Sequence, residues 1–230
     1  MAAPTSESQH AVAVVSGGMD SVTLAFLLHA EGWRLTIVSF DYGQRHRREL
    51  RCAQSAAGRL GAGHHVIDLT AVGTLLGGSA LTDGSVTVPE GHYTDVSMRA
   101  TVVPNRNAIL LAVATGVAVA EGASAVAFGA HAGDHPIYPD CRPAFVEAFA
   151  AMAQVANEGF LMPGFQVLAP FIGKTKADIV WLGVQLGVPY AETWSCYVGG
   201  EAHCGRCGTC TERREAFMLA NVPDPTAYLV

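Results

Sequence analysis

Charge is scarce in this chain, and positive charge is scarcer. Only 15% of the residues are charged, and 14 lysines and arginines face 20 aspartates and glutamates, for a formal net charge of −6. That balance argues against a broad basic surface for tRNA or DNA, so no nucleic-acid partner is expected. Apolar runs of membrane length are missing as well. The longest, Ala108 to Ala120, is broken by Thr115 and Gly116 and ended by Glu121, so it reads as a core helix and no membrane partner is expected. Residues 1–10 have neither a basic start nor an apolar segment and are expected to form a flexible tail rather than a signal peptide. Cysteine is sparse outside one cluster: of six, four crowd towards the C-terminus, which suggests metal binding in a reducing cytoplasm rather than disulfides. What is plentiful is apolar side chain, 50% of 230 residues, enough for the core of one large domain or one domain with an appendage.

The chain is organised around its opening. Ala11 to Val15 is an apolar, mostly β-branched run that reads as a buried parallel strand, and Ser16-Gly17-Gly18-Met19-Asp20-Ser21 then turns into a helix closed by Gly32. Glycines let the backbone pass close to a ligand, and N–H groups at a helix N-terminus attract anions. Ser16 and Ser21 add hydroxyls, and the Asp20 carboxylate can hold Mg²⁺. This is a pyrophosphate cradle. Strand two, Leu35 to Phe40, runs into Asp41-Tyr42-Gly43-Gln44-Arg45-His46, where an open parallel sheet presents its ligand-facing edge. A helix to about Leu60 follows, its arginines read as a solvated face, and strand three is His65 to Leu69.

Residues 76–98 are rich in Gly, Ser, Thr and Asp and are read as a mobile cover near the site. Pro104 is expected to open a helix to about Glu121, with Arg106 in its first turn suited to a phosphate. Strand four, Ser124 to Gly129, leads into a polar, proline-stiffened stretch through Pro143. There Asp134, Asp140 and Arg142 could read donors and acceptors of a heterocycle. His131 and His135 lie four apart, but glycine and prolines around them argue against a helical metal pair. A helix over 144–159, strand five over 166–169 and a helix over 175–186 complete an open parallel five-stranded α/β sheet. Lys174, before that last helix, could reach an α-phosphate as a point charge. Gly173-Lys174-Thr175 is not the end of a Walker A loop, because Leu168 stands where that motif needs glycine.

Cys196, Cys204, Cys207 and Cys210 have the spacing C-x7-C-x2-C-x2-C, suited to a tetrahedral four-thiolate zinc site. Four sulfurs leave no open position, so the expected role is structural; His203 could compete as a ligand, and an iron–sulfur cluster is the alternative for the same soft donors.

The six-residue turn resembles the PP-loop of N-type ATP pyrophosphatases, which implies an adenine-nucleotide-hydrolase-like sheet and attack at the α-phosphate of ATP. With 41–46, Pro104-Asn105-Arg106-Asn107, Tyr138-Pro139-Asp140-Cys141-Arg142-Pro143 and the cysteine run in order, Val12 to about Phe217 resembles the 7-cyano-7-deazaguanine synthases. Many members carry Gly where Asn105 stands and a longer acidic pattern where Ala144 stands. The resemblance implies a cytoplasmic, homodimeric enzyme that uses 7-carboxy-7-deazaguanine, ammonia and two ATP, with one structural Zn²⁺ per chain and Mg²⁺ at the nucleotide. It implies ATP contacts at Val15, Ser16, Gly17, Gly18, Met19, Asp20, Ser21, Phe40, Gln44 and Arg45, and catalytic roles for Asp20, Arg106 and Lys174. The deazaguanine falls to Asp134, Tyr138, Asp140 and Arg142, and the metal to Cys196, Cys204, Cys207 and Cys210. Residues 11–190 would form the PP-loop domain and 191–230 a zinc-binding segment packed on it. A tRNA-modifying PP-loop enzyme would want a basic face; a ligase joining the same carboxylate to another amine, or a non-catalytic zinc-ribbon module, are the other rivals.

Overall fold

Five strands pair side by side, all parallel, in the order β3-β2-β1-β4-β5: β1 (His10–Val14), β2 (Arg34–Asp41), β3 (Gly63–Asp68), β4 (Ala125–Ala127) and β5 (Gln166–Leu168). The computed structural model describes residues 9–45, 47–91 and 99–230. Alternate residues of the central strands β1, β2 and β4 feed opposite cores, as the pleat requires. Ala11, Ala13, Leu35, Ile37, Ala125 and Ala127 face one side, under α1 (Met19–Ala30), α2 (Arg48–Leu60), α6 (Lys176–Gln185) and α7 (Gly208–Leu219). Val12, Val38, Phe40, Val126 and Phe128 face the other, under α4 (Arg106–Ala120) and α5 (Pro143–Ala156). Burial on both faces is why these strands read as continuous apolar runs. Each fully buried Ile37 or Leu24 stabilises the fold by about 1.5–3 kcal/mol.

Strand order reverses between β1 and β4, and their C-terminal ends open the crevice where such sheets bind ligands. This is the open parallel five-stranded sheet expected, with each strand within two residues of its expected bounds.

Three local readings need correction. His10 is not tail: it is 4% exposed in β1, its Nε2 3.0 Å from Thr36 Oγ1, because the pairing with Arg34 extends the sheet one residue further; residues 1–8 of the expected tail lie outside the described residues. Pro104 does not open α4. Asn105 intervenes in a left-handed conformation, φ 58°, a backbone that glycine and asparagine tolerate best, and the helix begins at Arg106. Finally, α3 (Thr70–Leu75) was not anticipated; Asp68 Oδ1 accepts from Thr70 N (2.8 Å) at its start.

Of the expected cover, 92–98 lie outside the described residues. The remainder is tied to the body: the Arg45 guanidinium donates to the carbonyls of Asp83 and Val86, each at 2.5 Å, and Ala80 and Val88 pack against the cysteine cluster. Among the described residues no helix is long and apolar enough to cross a membrane.

Candidate active site

At the switch point the chain leaves β1 through Val15, whose carbonyl accepts from Ser39 Oγ (2.6 Å), and enters the glycine turn. Gly17 adopts φ +97°, and a Cβ there would stand 2.0 Å from the Glu49 carbonyl oxygen, so α2 can approach only because this residue is glycine. Ser16 and Ser21 hydroxyls meet at 3.1 Å, and Ser21 Oγ donates to Gly18 O (3.2 Å), which holds the turn open as α1 begins. One cavity at the sheet edge is lined by Val15, Ser16, Gly18, Met19, Asp20 and Ser21 of this turn, joined by Phe40, Gln44, Arg45 and Arg106. Gly17 itself is buried behind the turn.

Charges divide the cavity in two. At the β1–β4 end stand Asp20, His131, Asp134 and Lys176. His131 Nδ1 accepts from Gly133 N (3.1 Å), which leaves Nε2 between Asp134 Oδ2 (3.5 Å) and Asp20 Oδ2 (3.8 Å). Asp20 Oδ1 is buried without a hydrogen-bond partner, an oxygen in want of a cation. Burial alone would lower the Lys176 ammonium, but the carboxylates of Glu212, its ion-pair partner, and of Asp20 and Asp134 raise it. At the α2 end stand Tyr42, Gln44, Glu49 and Arg106. Burial pushes the Glu49 carboxyl up to about 7, against the opposing pull of the Gln44 amide (Nε2 to Oε1, 3.1 Å) and of Arg106. Burial likewise raises Tyr42.

Several expected contacts fall elsewhere. Lys174 is exposed on the turn before α6 and does not line the cavity; Lys176, two residues on, does. The Thr175–Asp178 capping box sets the helix start there (Thr175 Oγ1 to Asp178 Oδ2, 2.7 Å), which puts Lys176 rather than Lys174 in the first turn. Asp134 lines the cavity, but Tyr138, Asp140 and Arg142 do not. Tyr138 OH lies 2.7 Å from Thr101 Oγ1, Asp140 Oδ2 accepts from Asn107 N (2.9 Å) at the start of α4, and Arg142 Nε donates to His135 O (2.7 Å). These bonds brace the polar stretch. Gln44 spans the turn after β2, accepting from Tyr42 N and donating to Phe40 O, both at 2.9 Å. His46 lies outside the described residues. Glu49, Tyr42, His131 and Lys176 were missing from the expected set; for Glu49 the one available signal was its place in the first turn of a helix that follows a ligand-edge strand.

The cysteines form a second wall. Sγ atoms of Cys196, Cys204, Cys207 and Cys210 are buried and all within 4.8 Å of one another. Separations such as 3.9 Å (204–210) and 4.0 Å (207–196) match the roughly 3.8 Å edge of a tetrahedron with metal–sulfur bonds near 2.3 Å. This cluster can bind a metal. His203 is engaged instead with Ser195 N (3.1 Å). The wall joins the site: Trp194 to Tyr197 and Thr209 line the cavity, and Trp194 N donates to Gly17 O at 2.9 Å. Arg48, read as solvated, stacks on Trp194 at 4.4 Å.

The model of the family described as "Queuosine biosynthesis protein QueC" matches residues 10–221. The chain is 59% identical over 217 residues to a 7-cyano-7-deazaguanine synthase of Paracoccus denitrificans, covering 94% of this chain and 92% of the relative. It is equally identical to a protein of the same name from Rhizobium johnstonii, covering 94% and 91%. Among solved structures, a 4-thiouridine synthetase in complex with RNA and with bound ATP is similar at 14% identity and a TM-score of 0.52, over 95% of this chain and 54% of that one; this likeness concerns the fold alone.

Proposed function

The chain belongs to the QueC family of queuosine biosynthesis proteins, and from that premise we propose that it converts 7-carboxy-7-deazaguanine and ammonia to 7-cyano-7-deazaguanine, cleaving two ATP to AMP and pyrophosphate. The substrate carboxylate attacks the α-phosphorus of ATP and pyrophosphate leaves. Ammonia displaces AMP from the acyl adenylate to give the amide. The amide oxygen then attacks a second ATP and departs with AMP as the nitrile forms.

The observation that carries this reading is the meeting of the glycine turn, Asp20, Lys176 and Arg106 around one cavity at the switch point. Ser16, Gly18 and Ser21 grip the leaving pyrophosphate, while Gly17 lets α2 close behind them. Lys176 takes the role expected of Lys174: with Arg106 it meets charge developing at the α-phosphate. Asp20, with its unpartnered Oδ1, fits Mg²⁺, which when bound neutralises the pyrophosphate. Asp134 is retained for the substrate base. One Zn²⁺ on the four thiolates is structural. The assignment of 11–190 and 191–230 to catalytic and metal-bearing parts, a cytoplasmic location suited to unpaired thiols, action on small molecules without nucleic acid, and a homodimer belong to the same proposal. Trp181 (56% exposed) and Val184 (46%) on α6 supply apolar surface for a second copy.

Purified protein with ATP, Mg²⁺, ammonium and 7-carboxy-7-deazaguanine is expected to release AMP and to form the nitrile, read by mass spectrometry. ADP in place of AMP would overturn the cleavage site. AMP without nitrile would favour ligation to another amine.

A further inference from the structure

The reaction proposed above leaves one requirement unassigned. Every N–H bond of ammonium must be broken before the nitrile nitrogen is reached, and neither adenylation supplies a proton acceptor. Ammonium must lose a proton to become a nucleophile. The nitrogen loses another as the amide forms, and the last two depart as the adenylated amide becomes the nitrile.

Three carboxylates line the cavity: Asp20, Asp134 and Glu49. Asp20 and Asp134 share the end that holds Lys176 and His131, and both are already engaged in the reading above, Asp20 with the cation and Asp134 with the substrate base. Glu49 is placed differently. Its backbone carbonyl lies against Gly17, so α2 holds it at a fixed distance from the phosphate turn. Its Oε1 is clamped by Gln44 Nε2, itself tied to Phe40 O and Tyr42 N. The charged and titratable groups that face it are Arg106 from α4, Tyr42 from the turn after β2 and Cys52 from its own helix.

We propose that Glu49 is the proton acceptor for the amine nitrogen: a cavity-lining carboxylate, held by Gln44 and faced by Arg106, that strips N–H protons through amide and nitrile formation. This rests on the function proposed above. Ammonium gives a proton to the Glu49 carboxylate and its lone pair forms the C–N bond; the C–O bond to AMP breaks, and AMP keeps that electron pair. Glu49 passes its proton to water and takes the next one from the new C–NH₃⁺ group. After the second adenylation the C–O bond to AMP breaks again. Electrons from the two remaining N–H bonds become the π bonds of the nitrile as Glu49 removes those protons in turn, each passed to water. Its position in the charge layout, with a carboxyl titrating near 7, suits a base that must both accept and return protons at neutral pH.

The test separates adenylation from nitrogen chemistry. Exchange of labelled pyrophosphate into ATP, dependent on 7-carboxy-7-deazaguanine, reads the first adenylation alone; nitrile yield reads the whole. Glu49→Gln is expected to lower kcat/KM for ammonium at least ~100-fold while exchange falls less than about threefold. The acid limb of the native pH profile, near pH 7, is expected to vanish in Glu49→Gln, and Glu49→Asp to restore part of the rate with a displaced limb. Nitrile formation by Glu49→Gln within about threefold of native overturns the assignment, as does a parallel loss of exchange, which would make Glu49 a nucleotide contact. Should Glu49→Gln not fold, an undisplaced acid limb in Glu49→Asp overturns it. Native protein that performs exchange but makes no nitrile defeats the function itself, whatever the Glu49 variants do.

Discussion

Gly17 and Lys176 make opposite demands on side-chain chemistry. At Gly17 any Cβ meets the Glu49 carbonyl at 2.0 Å, in a backbone region at φ +97° that other residues enter at a cost. Overpacking and strain together predict that Gly17→Ala loses about 2–4 kcal/mol, read as a lower denaturation midpoint, and weakens ATP binding because α2 must retreat. At position 176 the charge itself matters. Lys176→Ala is expected to reduce kcat/KM about 10²–10³-fold, while Lys174→Ala stays within about twofold; steady-state AMP release compares them. Equal losses would return Lys174 to the site. Residue types and motifs pointed to the glycine turn and part of the wall around it, but the helix boundary decided which lysine could reach the cavity. Thr175 and Asp178 carried that boundary in their spacing. Glu49 was hidden among arginines that read as a solvated face, since periodicity alone does not say which first-turn residue looks along the sheet edge.

Among the elements, the strands were the legible part, because β1, β2 and β4 are buried on both faces and centre on apolar, largely β-branched or alanine residues. The start of α4 was less so: a proline that suits a helix opening was overruled by Asn105 in the left-handed region. Tyr138, Asp140 and Arg142 sat in the right segment, yet their polar atoms serve turns and a helix start, a division of labour that needs tertiary contacts to see. The segment from Trp194 to Cys210 is held by a buried clamp. Arg213, 1% exposed, reaches Thr193 Oγ1 (2.8 Å), Tyr190 O (2.9 Å) and Asp224 Oδ1 (3.3 Å). Breaking it with Arg213→Met strands Asp224 and is expected to cost about 3–5 kcal/mol, measured by urea denaturation. Because Trp194 N also holds Gly17 O, Cys207→Ser is expected to release the bound metal, to lower the melting temperature by on the order of 10 °C, and to weaken ATP binding in the same preparation. Metal loss with unaltered nucleotide affinity would show the two walls to be independent.

For the molecule as a whole, stability is pulled two ways by pH. Burial lowers His10 and His64 below their ordinary value of 6.5. The unfolded chain binds those protons more readily, so their contribution is complete above about pH 6.5 and is lost as the pH falls towards the folded values. Glu49 acts in the opposite sense. Its raised carboxyl favours the folded state when neutral, and that contribution is lost as the pH climbs from 4.5 to about 7. Thermal melts of Glu49→Gln, in which the opposing carboxyl is removed, are therefore expected to show weakening below pH 6.5. Glu49→Gln should be more stable than native by about 3 kcal/mol at pH 8, with the difference fading by pH 5. A native advantage at pH 8 would mean that the ionised carboxylate is not held at a cost.

On the function proposed above, a single glycine turn serves a pair of nucleotides in succession. Spent AMP would then vacate the crevice while the half-finished amide stays behind, so a turnover is expected to contain two refuelling events and no release of the organic intermediate between them. Isotope dilution decides this: unlabelled amide added in excess should leave the label in the nitrile undiminished, and a diluted product would mean that the intermediate escapes and rebinds.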